Sequence, residues 1–261
     1  MNKGKRFKKE KKDYIKLVRA ILAIVLIICI IYIVKCVWDS KKEEEQVKEI
    51  LNSVAVTETT NIGNTGQERS LKVKELKEQY PDVVGWIEIE GTNINYPVMQ
   101  GEDNDFYMDH NYKKEKVKTG SIFLDKDYDW SIPSSNLLMY GHNKRNGTTM
   151  FSELLKYKDE SFYQNYPIIK FTTVDEDAEY EIIAAFLSRV YYKSETNVFR
   201  YYYFINAKNK EEYDDFVNNA KKASLYDTGK TAEYGDQLIT LSTCEYSQED
   251  GRFAIVARKK K

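Results

Sequence analysis

Short stretches of β-branched and aromatic residues recur through the C-terminal two thirds of the chain and predict a mainly β structure. The predicted strands are 84–89, 94–99, 121–124, 136–140, 168–173, 179–188, 238–243 and 253–258. Glu90-Gly91-Thr92-Asn93 separates the first two strands and is typical of a hairpin turn. Many short strands with few helices favour a closed or nearly closed β-barrel over an α/β sheet.

Three segments of the same region follow a helical period instead of an alternating one. Two of them, 71–79 and 149–156, are short, and the first ends before Pro81. The third, 208–224, is longer and precedes the predicted strand 238–243. Apolar residues form a stripe along one face of this helix. The stripe consists of Tyr213, Phe216, Val217 and Ala220.

The N-terminus has a different pattern, in which a basic segment precedes a long apolar run. Residues 1–19 contain nine basic residues and two acidic ones, and the run that follows is almost entirely Ile, Leu, Val and Ala. About 20 apolar residues cross the ~30 Å hydrocarbon layer of a membrane. We therefore predict a basic cytoplasmic tail over 1–17 and a transmembrane anchor over 18–38. A cleaved signal peptide has a similar pattern, but no small-residue cleavage site follows the run.

The rest of the chain divides into a connecting segment and one domain. A charged helical pattern over 41–54 and a stretch rich in Thr, Asn, Gly and Glu predict a helix and extracellular linker over 39–69. The remaining 70–261 form one domain of roughly 190 residues, which is enough to bury a core. The formal net charge is −1 with both signs mixed, so we expect no nucleic-acid partner.

Of the three cysteines, only Cys244 lies outside the apolar N-terminal region. We interpret Cys29 and Cys36 as apolar filler. An unpaired cysteine in an exported domain is either a reactive thiol or an inert core residue, and the count alone does not decide between them. A reactive cysteine acts as its thiolate, and a free thiol titrates near ~8.5.

Arg252 follows Cys244 at the start of the next predicted strand. If the two strands pair, both side chains converge at one end of the sheet, with 245–251 as the connecting loop. Arginine stays protonated, so it is suited to hold a carbonyl oxygen or an oxyanion rather than to act as a base. A surface ion pair with Glu249 or Asp250 is the alternative interpretation.

The chain has two histidines, and His142 is the candidate base because it follows the predicted strand 136–140. His110 lies in the polar stretch Met108-Asp109-His110-Asn111-Tyr112, and we interpret it as solvated. Two histidines and one cysteine without metal-ligand spacing do not form a tetrahedral zinc site. We therefore expect neither a metal nor a cofactor.

Thr240-Leu241-Ser242-Thr243-Cys244 resembles the TLxTC motif of sortases, the cysteine transpeptidases of Gram-positive cell walls. The chain order His, Cys, Arg is also that of sortases. The stretch 81–98, Tyr140-Gly141-His142-Asn143 and the helix before the cysteine strand are similar to class B members. The resemblance implies a closed eight-stranded sortase-type β-barrel over 70–261, with N-terminal helices and a helix inserted before the cysteine strand.

The resemblance further implies that His142, Cys244 and Arg252 are the catalytic set. Cys244 would attack the Thr carbonyl of a C-terminal sorting pentapeptide, either NPQTN-like or LPxTG-like, and form a thioacyl-enzyme. His142 would protonate the leaving amine, Arg252 would hold the carbonyl, and an amine of the peptidoglycan precursor would resolve the intermediate. By similarity, four residues line the substrate groove, namely Ser242, Glu245, Asn104 and Met108. Glu245 also fits a solvated loop acid.

The expected partners are surface proteins that carry the signal, the precursor amine and the membrane. The expected location is the cell membrane, with one span, a cytoplasmic N-terminus and an extracellular catalytic domain. Two alternatives stay open: a cell-wall cysteine peptidase on another fold, and an anchored, non-catalytic β-domain with Cys244 in its core. Papain-like peptidases have Cys before His, which argues against the first.

Overall fold

The computed structural model describes residues 14, 16–35, 37–38, 41, 45, 66–132, 134–144 and 147–261. The chain separates into two compact units, 1–53 and 54–261. Apart from a few residues, the predicted basic tail, the charged helix over 41–54 and the linker from 55 to 65 lie outside the described part, as does Cys36.

The first unit contains helix α1 (Lys16–Lys35), which is long and apolar enough to cross a membrane. At ~1.5 Å per residue its twenty residues span about 30 Å. Its side chains are exposed, as expected for an apolar helix that does not pack within the protein. A membrane anchor and a signal segment share these properties.

The second unit is a closed barrel of eight strands in the order β1-β2-β3-β4-β7-β8-β6-β5. The strands are β1 (Val83–Glu88), β2 (Asn95–Met99), β3 (Ile122–Leu124), β4 (Asn136–Tyr140), β5 (Ile168–Thr172), β6 (Asp177–Arg189), β7 (Leu238–Cys244) and β8 (Gly251–Lys259). Every predicted strand is present, and its ends lie within two residues of the predicted ends. The mainly β, closed eight-stranded barrel is confirmed.

The turn between β1 and β2 also agrees with the prediction, because the two strands pair in antiparallel orientation. Gly91 has φ +76° in this turn, where only glycine is free of steric cost. A Cβ atom there would lie 2.5 Å from the ring of Tyr166.

Two pairs of neighbouring strands in the barrel are parallel, and the strands of each pair are joined by a long connection. β2 pairs with β3, and β4 pairs with β7. Parallel strands cannot be joined by a tight turn, so the chain must cross over between them. The first crossover, 100–121, contains a short 3₁₀ helix over Phe106–Met108. The second, 141–237, contains β5, β6 and most of the helices.

In the described part of the second unit, three α-helices accompany the barrel: α2 (Gly66–Gln79), α3 (Glu160–Asn165) and α4 (Lys210–Ala223). α2 begins before the predicted start at residue 71, so it overlaps the end of the predicted linker. Arg69 Nη1 lies 3.5 Å from the carboxylate of Asp177 on β6, which ties this turn of α2 to the barrel.

The short helix predicted over 149–156 is present with shifted ends. The structure has a 3₁₀ helix over Ser152–Lys158 that is followed by α3. Asp159 separates the two because it adopts an extended conformation and its carboxylate accepts a hydrogen bond from the Ser161 N–H. This bond caps the first turn of α3, and a new helix therefore starts at Glu160.

The predicted helix before the cysteine strand is confirmed as α4, which packs against β6. All four residues of its predicted apolar stripe are buried. Phe216 stacks on Phe204 with ring centroids 4.0 Å apart and the planes inclined by 11°. Asn209 caps the N-terminus by accepting a hydrogen bond from the Glu212 N–H. The helix therefore closes one side of the hydrophobic core.

We expect Phe216→Ala to lower the free energy of unfolding by about 3–5 kcal/mol, because it leaves a cavity between α4 and the barrel. Urea unfolding of the full chain in detergent micelles, followed by circular dichroism, measures this change. Asn218→Ala, on the exposed face of α4, is the control and should stay within about 0.5 kcal/mol. Equal losses for both variants would contradict the assigned packing of α4.

Candidate active site

β7 lies between β4 and β8, and this position brings the three predicted site residues together. On one side, Tyr140 at the end of β4 pairs in parallel with Ser242, and His142 follows Tyr140 by two residues. On the other side, the antiparallel pairing with β8 sets Cys244 directly opposite Arg252. The predicted pairing of β7 with β8 is therefore confirmed, and His142, Cys244 and Arg252 all line one cavity.

Hydrogen bonds on either side of His142 tie its loop to the cysteine strand. The Gly141 N–H donates to the Ser242 carbonyl at 3.2 Å, and the Thr243 hydroxyl donates to the Gly141 carbonyl at 2.7 Å. Asn143 donates from Nδ2 to the carbonyl of Cys244 itself at 2.8 Å. His142 is thus held against Cys244 although it lies beyond the end of β4.

The imidazole of His142 has a defined orientation. Its Nε2 lies 2.6 Å from the carbonyl oxygen of Met108. A carbonyl oxygen can only accept a hydrogen bond, so Nε2 carries a proton. Nδ1 is therefore the nitrogen that can take up or release a proton during a reaction.

The guanidinium of Arg252 binds backbone carbonyls of its own loop. Nη1 donates to the Gly251 carbonyl at 2.9 Å and to the Asp250 carbonyl at 3.3 Å. The Glu245 N–H also donates to the Gly251 oxygen, at 2.9 Å. Among the described residues, no carboxylate forms an ion pair with Arg252. The alternative prediction, a surface ion pair with Glu249 or Asp250, is therefore wrong. The guanidinium already serves as a donor to a carbonyl oxygen.

A cavity of about 210 Å³ opens beside Cys244. Cys244 is a free, half-buried thiol on its wall rather than a fully buried core residue. Most of the lining is apolar or aromatic, with polar groups near the thiol. The lining residues are Asn104, Met108, Phe123, Tyr140, Gly141, His142, Val190, Tyr201, Tyr202, Ser242, Thr243, Cys244 and Arg252.

Tyr201 contributes a buried hydroxyl to this cavity. Its oxygen lies 2.7 Å from the Ser242 hydroxyl, which fixes both side chains. Burial raises the pKa of Tyr201 to about 12, although the hydrogen bond with Ser242 and the charge of Arg252 act in the opposite direction. Tyr201 therefore stays neutral and supports Ser242 on the face of β7 that carries Cys244.

Three of the four residues that were predicted to line the substrate groove line the cavity. Asn104, Met108 and Ser242 line the cavity, but Glu245 does not. The alternative of a solvated loop acid is also wrong, because Glu245 is buried. Its carboxylate accepts hydrogen bonds from Lys158 Nζ at 2.7 Å and from the Ser247 N–H at 2.9 Å. Glu245 thus holds the β7–β8 loop in place.

The prediction that His110 is solvated is wrong. Its ring stacks on Phe106, with centroids 4.1 Å apart and planes inclined by 9°. Nδ1 lies 2.8 Å from the Phe106 carbonyl and 2.7 Å from the Asp109 carboxylate. His110 is therefore a structural residue of the first crossover and does not line the cavity.

Several residues of the site were not predicted from the sequence. Asn143 directly follows His142, and its amide links the two strands of the site. Tyr201 and Tyr202 belong to the aromatic run Phe199–Phe204, which could have been noticed as an unusual cluster before α4. The sequence contained no signal for Tyr140 as a wall residue, because its strand was predicted to be simply apolar.

Comparison with known proteins places this site in a family. Residues 87–260 match the family described as Sortase domain. The chain is 35% identical over 199 residues to sortase B of Listeria monocytogenes, which covers 76% of each chain. The chain belongs to the class B sortases. Sortases are cysteine transpeptidases, and this sortase is therefore an enzyme of acyl transfer.

Solved sortase structures share the barrel. Sortase B of Clostridium perfringens superposes with a TM-score of 0.65 at 34% identity, over 72% of this chain and 99% of the other. A Staphylococcus aureus sortase B–substrate complex superposes with a TM-score of 0.69 at 26% identity, over 85% of this chain and 98% of the other. These matches cover nearly the whole of each relative's structure, so this sortase has their complete fold.

Glu245 gives the site a pH-dependent stability. Burial raises its pKa, but the hydrogen bonds from Lys158 and Ser247 outweigh this effect and lower the pKa to about 2. A carboxylate with a lowered pKa stabilises the folded state above its unfolded pKa of about 4.3. That contribution is lost as the pH falls toward about 2.

We expect Glu245→Gln to lower the free energy of unfolding by about 2–3 kcal/mol at pH 7. The difference from the wild type should shrink to less than about half at pH 3. Urea unfolding at both pH values measures it, with the exposed Glu249→Gln as the control of equal charge. A difference that is the same at pH 7 and pH 3 would show that the ionised Glu245 does not stabilise the loop.

Proposed function

We propose that this sortase is a membrane-anchored transpeptidase that cleaves a C-terminal sorting pentapeptide after Thr and joins the protein to a cell-wall amine. The observation that carries this proposal is that Cys244, His142 and Arg252 line one open cavity, with Arg252 opposite Cys244 in the sheet. A thiol with an imidazole on one side and a guanidinium on the other has the groups that acyl transfer requires.

The reaction proceeds in two acyl transfers. The thiolate of Cys244 attacks the carbonyl carbon of the Thr residue, and the peptide bond after Thr breaks. The leaving amine takes a proton from His142 Nδ1, and a thioester remains on Cys244. The acceptor amine then attacks the thioester and gives its proton to His142, and the thiolate is released. The proton that His142 loses in the first transfer is regained in the second, so the two transfers together restore the starting protonation of the site.

Arg252 stabilises the oxygen that becomes negative during each attack. Its Nη1 now donates to the Gly251 carbonyl, which also receives the Glu245 N–H. A substrate carbonyl beside Cys244 competes for the same guanidinium and gains more from it as charge develops on the oxygen. Partial burial of Arg252 strengthens this interaction relative to water.

The signal lies along the cavity beside Cys244. Asn104, Met108 and Ser242 are its proposed contacts, since all three line the cavity. Glu245 is not part of this proposal, because its carboxylate is occupied by Lys158 and Ser247. The S. aureus sortase B relative was solved in complex with a substrate, which supports a peptide site in this fold. NPQTN-like and LPxTG-like peptides are the two classes to be compared.

The membrane brings the enzyme to both of its substrates. We propose that α1 is an uncleaved anchor, with the basic tail 1–17 in the cytoplasm and the domain over 70–261 outside the cell. The excess of basic residues before the apolar helix supports this orientation. Surface proteins leave the cell through the same membrane, and the acceptor amine of the peptidoglycan precursor is attached there.

We expect Cys244→Ala to abolish transfer of a sorting peptide to an amine, because the thioester cannot form. The full chain in detergent is incubated with an NPQTN-like or LPxTG-like peptide and a glycine-based amine, and mass spectrometry measures both the ligated and the hydrolysed product. Cys29→Ala removes a thiol from α1 and should retain full activity. If the Cys244→Ala variant still transferred the peptide to the amine, the covalent mechanism would be refuted. If the wild type only hydrolysed the peptide even with the amine present, a peptidase would be favoured.

Arg252→Ala should lower kcat by about 100- to 1,000-fold, since one charged donor to the developing oxyanion is lost. The matched control is Arg258→Ala on the same strand, which removes an ion pair with Glu181 and should change stability more than kcat. Steady-state kinetics with the same peptide separate the two effects. A rise in KM alone for Arg252→Ala would mean that Arg252 binds the ground state only.

A further inference from the structure

Asp125 carries a buried carboxylate immediately behind the cavity wall. It follows the end of β3, and only 4% of the residue is exposed. Among the described residues, no cation forms an ion pair with it. A buried carboxylate without a counter-ion must be stabilised by hydrogen-bond donors, since its desolvation is costly. The donors to Asp125 therefore show what holds this charge in place.

Two of those donors are side chains of the cavity wall. Asn104 Nδ2 and the Tyr140 hydroxyl both donate to Oδ2 of Asp125, each at 2.9 Å. The other oxygen accepts the Asp127 N–H, also at 2.9 Å. Oδ2 thus links a residue of the first crossover to a residue of β4, two positions before His142.

This arrangement determines which polar groups the wall offers. The Asn104 amide cannot reverse, because its Nδ2 faces the carboxylate and its Oδ1 accepts the Lys126 N–H at 2.8 Å. The Tyr140 hydroxyl must donate to Asp125, and its proton stays in place because burial and the charge of Asp125 raise the pKa of Tyr140. The second N–H of the Asn104 amide therefore remains available as a donor, and the Tyr140 hydroxyl oxygen remains available as an acceptor.

We propose that Asp125 is a positioning residue for peptide recognition, which fixes Asn104 as a donor and Tyr140 as an acceptor on the cavity wall. A donor and an acceptor side by side fit a group that carries one carbonyl oxygen and one N–H, either a peptide unit or a carboxamide. The proposal rests on the proposed function, because it assumes that the sorting peptide occupies this cavity. Asp125 acts through its neighbours and has no part in the bond-making steps.

The first test compares Asp125→Asn with Asp127→Asn. Both variants lose one negative charge, but the Asp127 carboxylate is exposed and binds Lys126. An Asn at 125 has one accepting oxygen where the carboxylate had two, so it cannot accept from all three donors. We expect KM for the sorting peptide to rise about tenfold or more for Asp125→Asn, with kcat nearly unchanged. Asp127→Asn should match the wild type.

A second measurement separates positioning from general destabilisation. The rate at which a methanethiosulfonate reagent modifies Cys244, read by mass spectrometry of the peptide that contains it, does not depend on recognition of the signal. We expect Asp125→Asn to keep the wild-type rate. An equal fall in kcat and in this rate would mean that Asp125 supports the whole site, and the proposal would be wrong.

A double-mutant cycle tests whether Asp125 acts through its two neighbours. In an Asn104→Ala, Tyr140→Phe background, Asp125→Asn should raise KM much less than in the wild type. An undiminished effect would overturn the proposal. If Asp125→Asn does not fold, Asn104→Ala and Tyr140→Phe are combined instead. The rise in KM for the double variant should then be smaller than the product of the two single rises. A rise equal to that product would show that Asn104 and Tyr140 are not coupled through Asp125.

These outcomes differ from a failure of the proposed function. If the wild-type chain does not transfer the peptide to an amine, or if Cys244→Ala does, the proposed function fails before Asp125 is considered. If the wild type is active and Asp125→Asn has the same KM as Asp127→Asn, the proposed function stands and the role of Asp125 is refuted.

Discussion

The register of β7 between its two neighbours is the constraint on which the site depends. Parallel pairing with β4 places Tyr140, two residues before His142, opposite Ser242, and antiparallel pairing with β8 places Arg252 opposite Cys244. A slip of one residue on either side would turn a side chain to the other face of the sheet. Closure of the barrel opposes such a slip, because every strand is paired on both edges.

Buried carboxylates extend this constraint from the strands to the loops. Glu245 binds Lys158 and Ser247 and holds the loop that leads to Arg252. Asp125 binds two side chains of the cavity wall. In both cases the charge is costly to bury, so the loop conformation that supplies the donors is favoured over conformations that leave the carboxylate unsatisfied. Ionised groups thus specify loop geometry that the strand pairing alone does not.

The sequence predicted the parts of this molecule that depend on local periodicity. The eight strands and α4 follow from the spacing of apolar residues, and the cysteine motif identified the family. Local patterns did not predict contacts between distant segments. Lys158, the partner of Glu245, lies just beyond the predicted helix over 149–156 and 87 residues before Glu245 in the chain. The Tyr201 hydroxyl likewise contacts the hydroxyl of Ser242, 41 residues further along the chain. Such contacts depend on tertiary packing, which no local pattern encodes.

The two parallel pairs explain why the cavity forms beside Cys244. Each pair requires a crossover, and the two crossovers supply most of the wall outside the strands. The first contributes Asn104 and Met108, and the second contributes Tyr201 and Tyr202. Cys244 and Arg252 are therefore attached to paired strands and His142 follows β4 by two residues, whereas Asn104 and Met108 come from a connection that can change without altering the register of β7. Asp125 joins the two systems, since its carboxylate binds one residue of a crossover and one residue of β4.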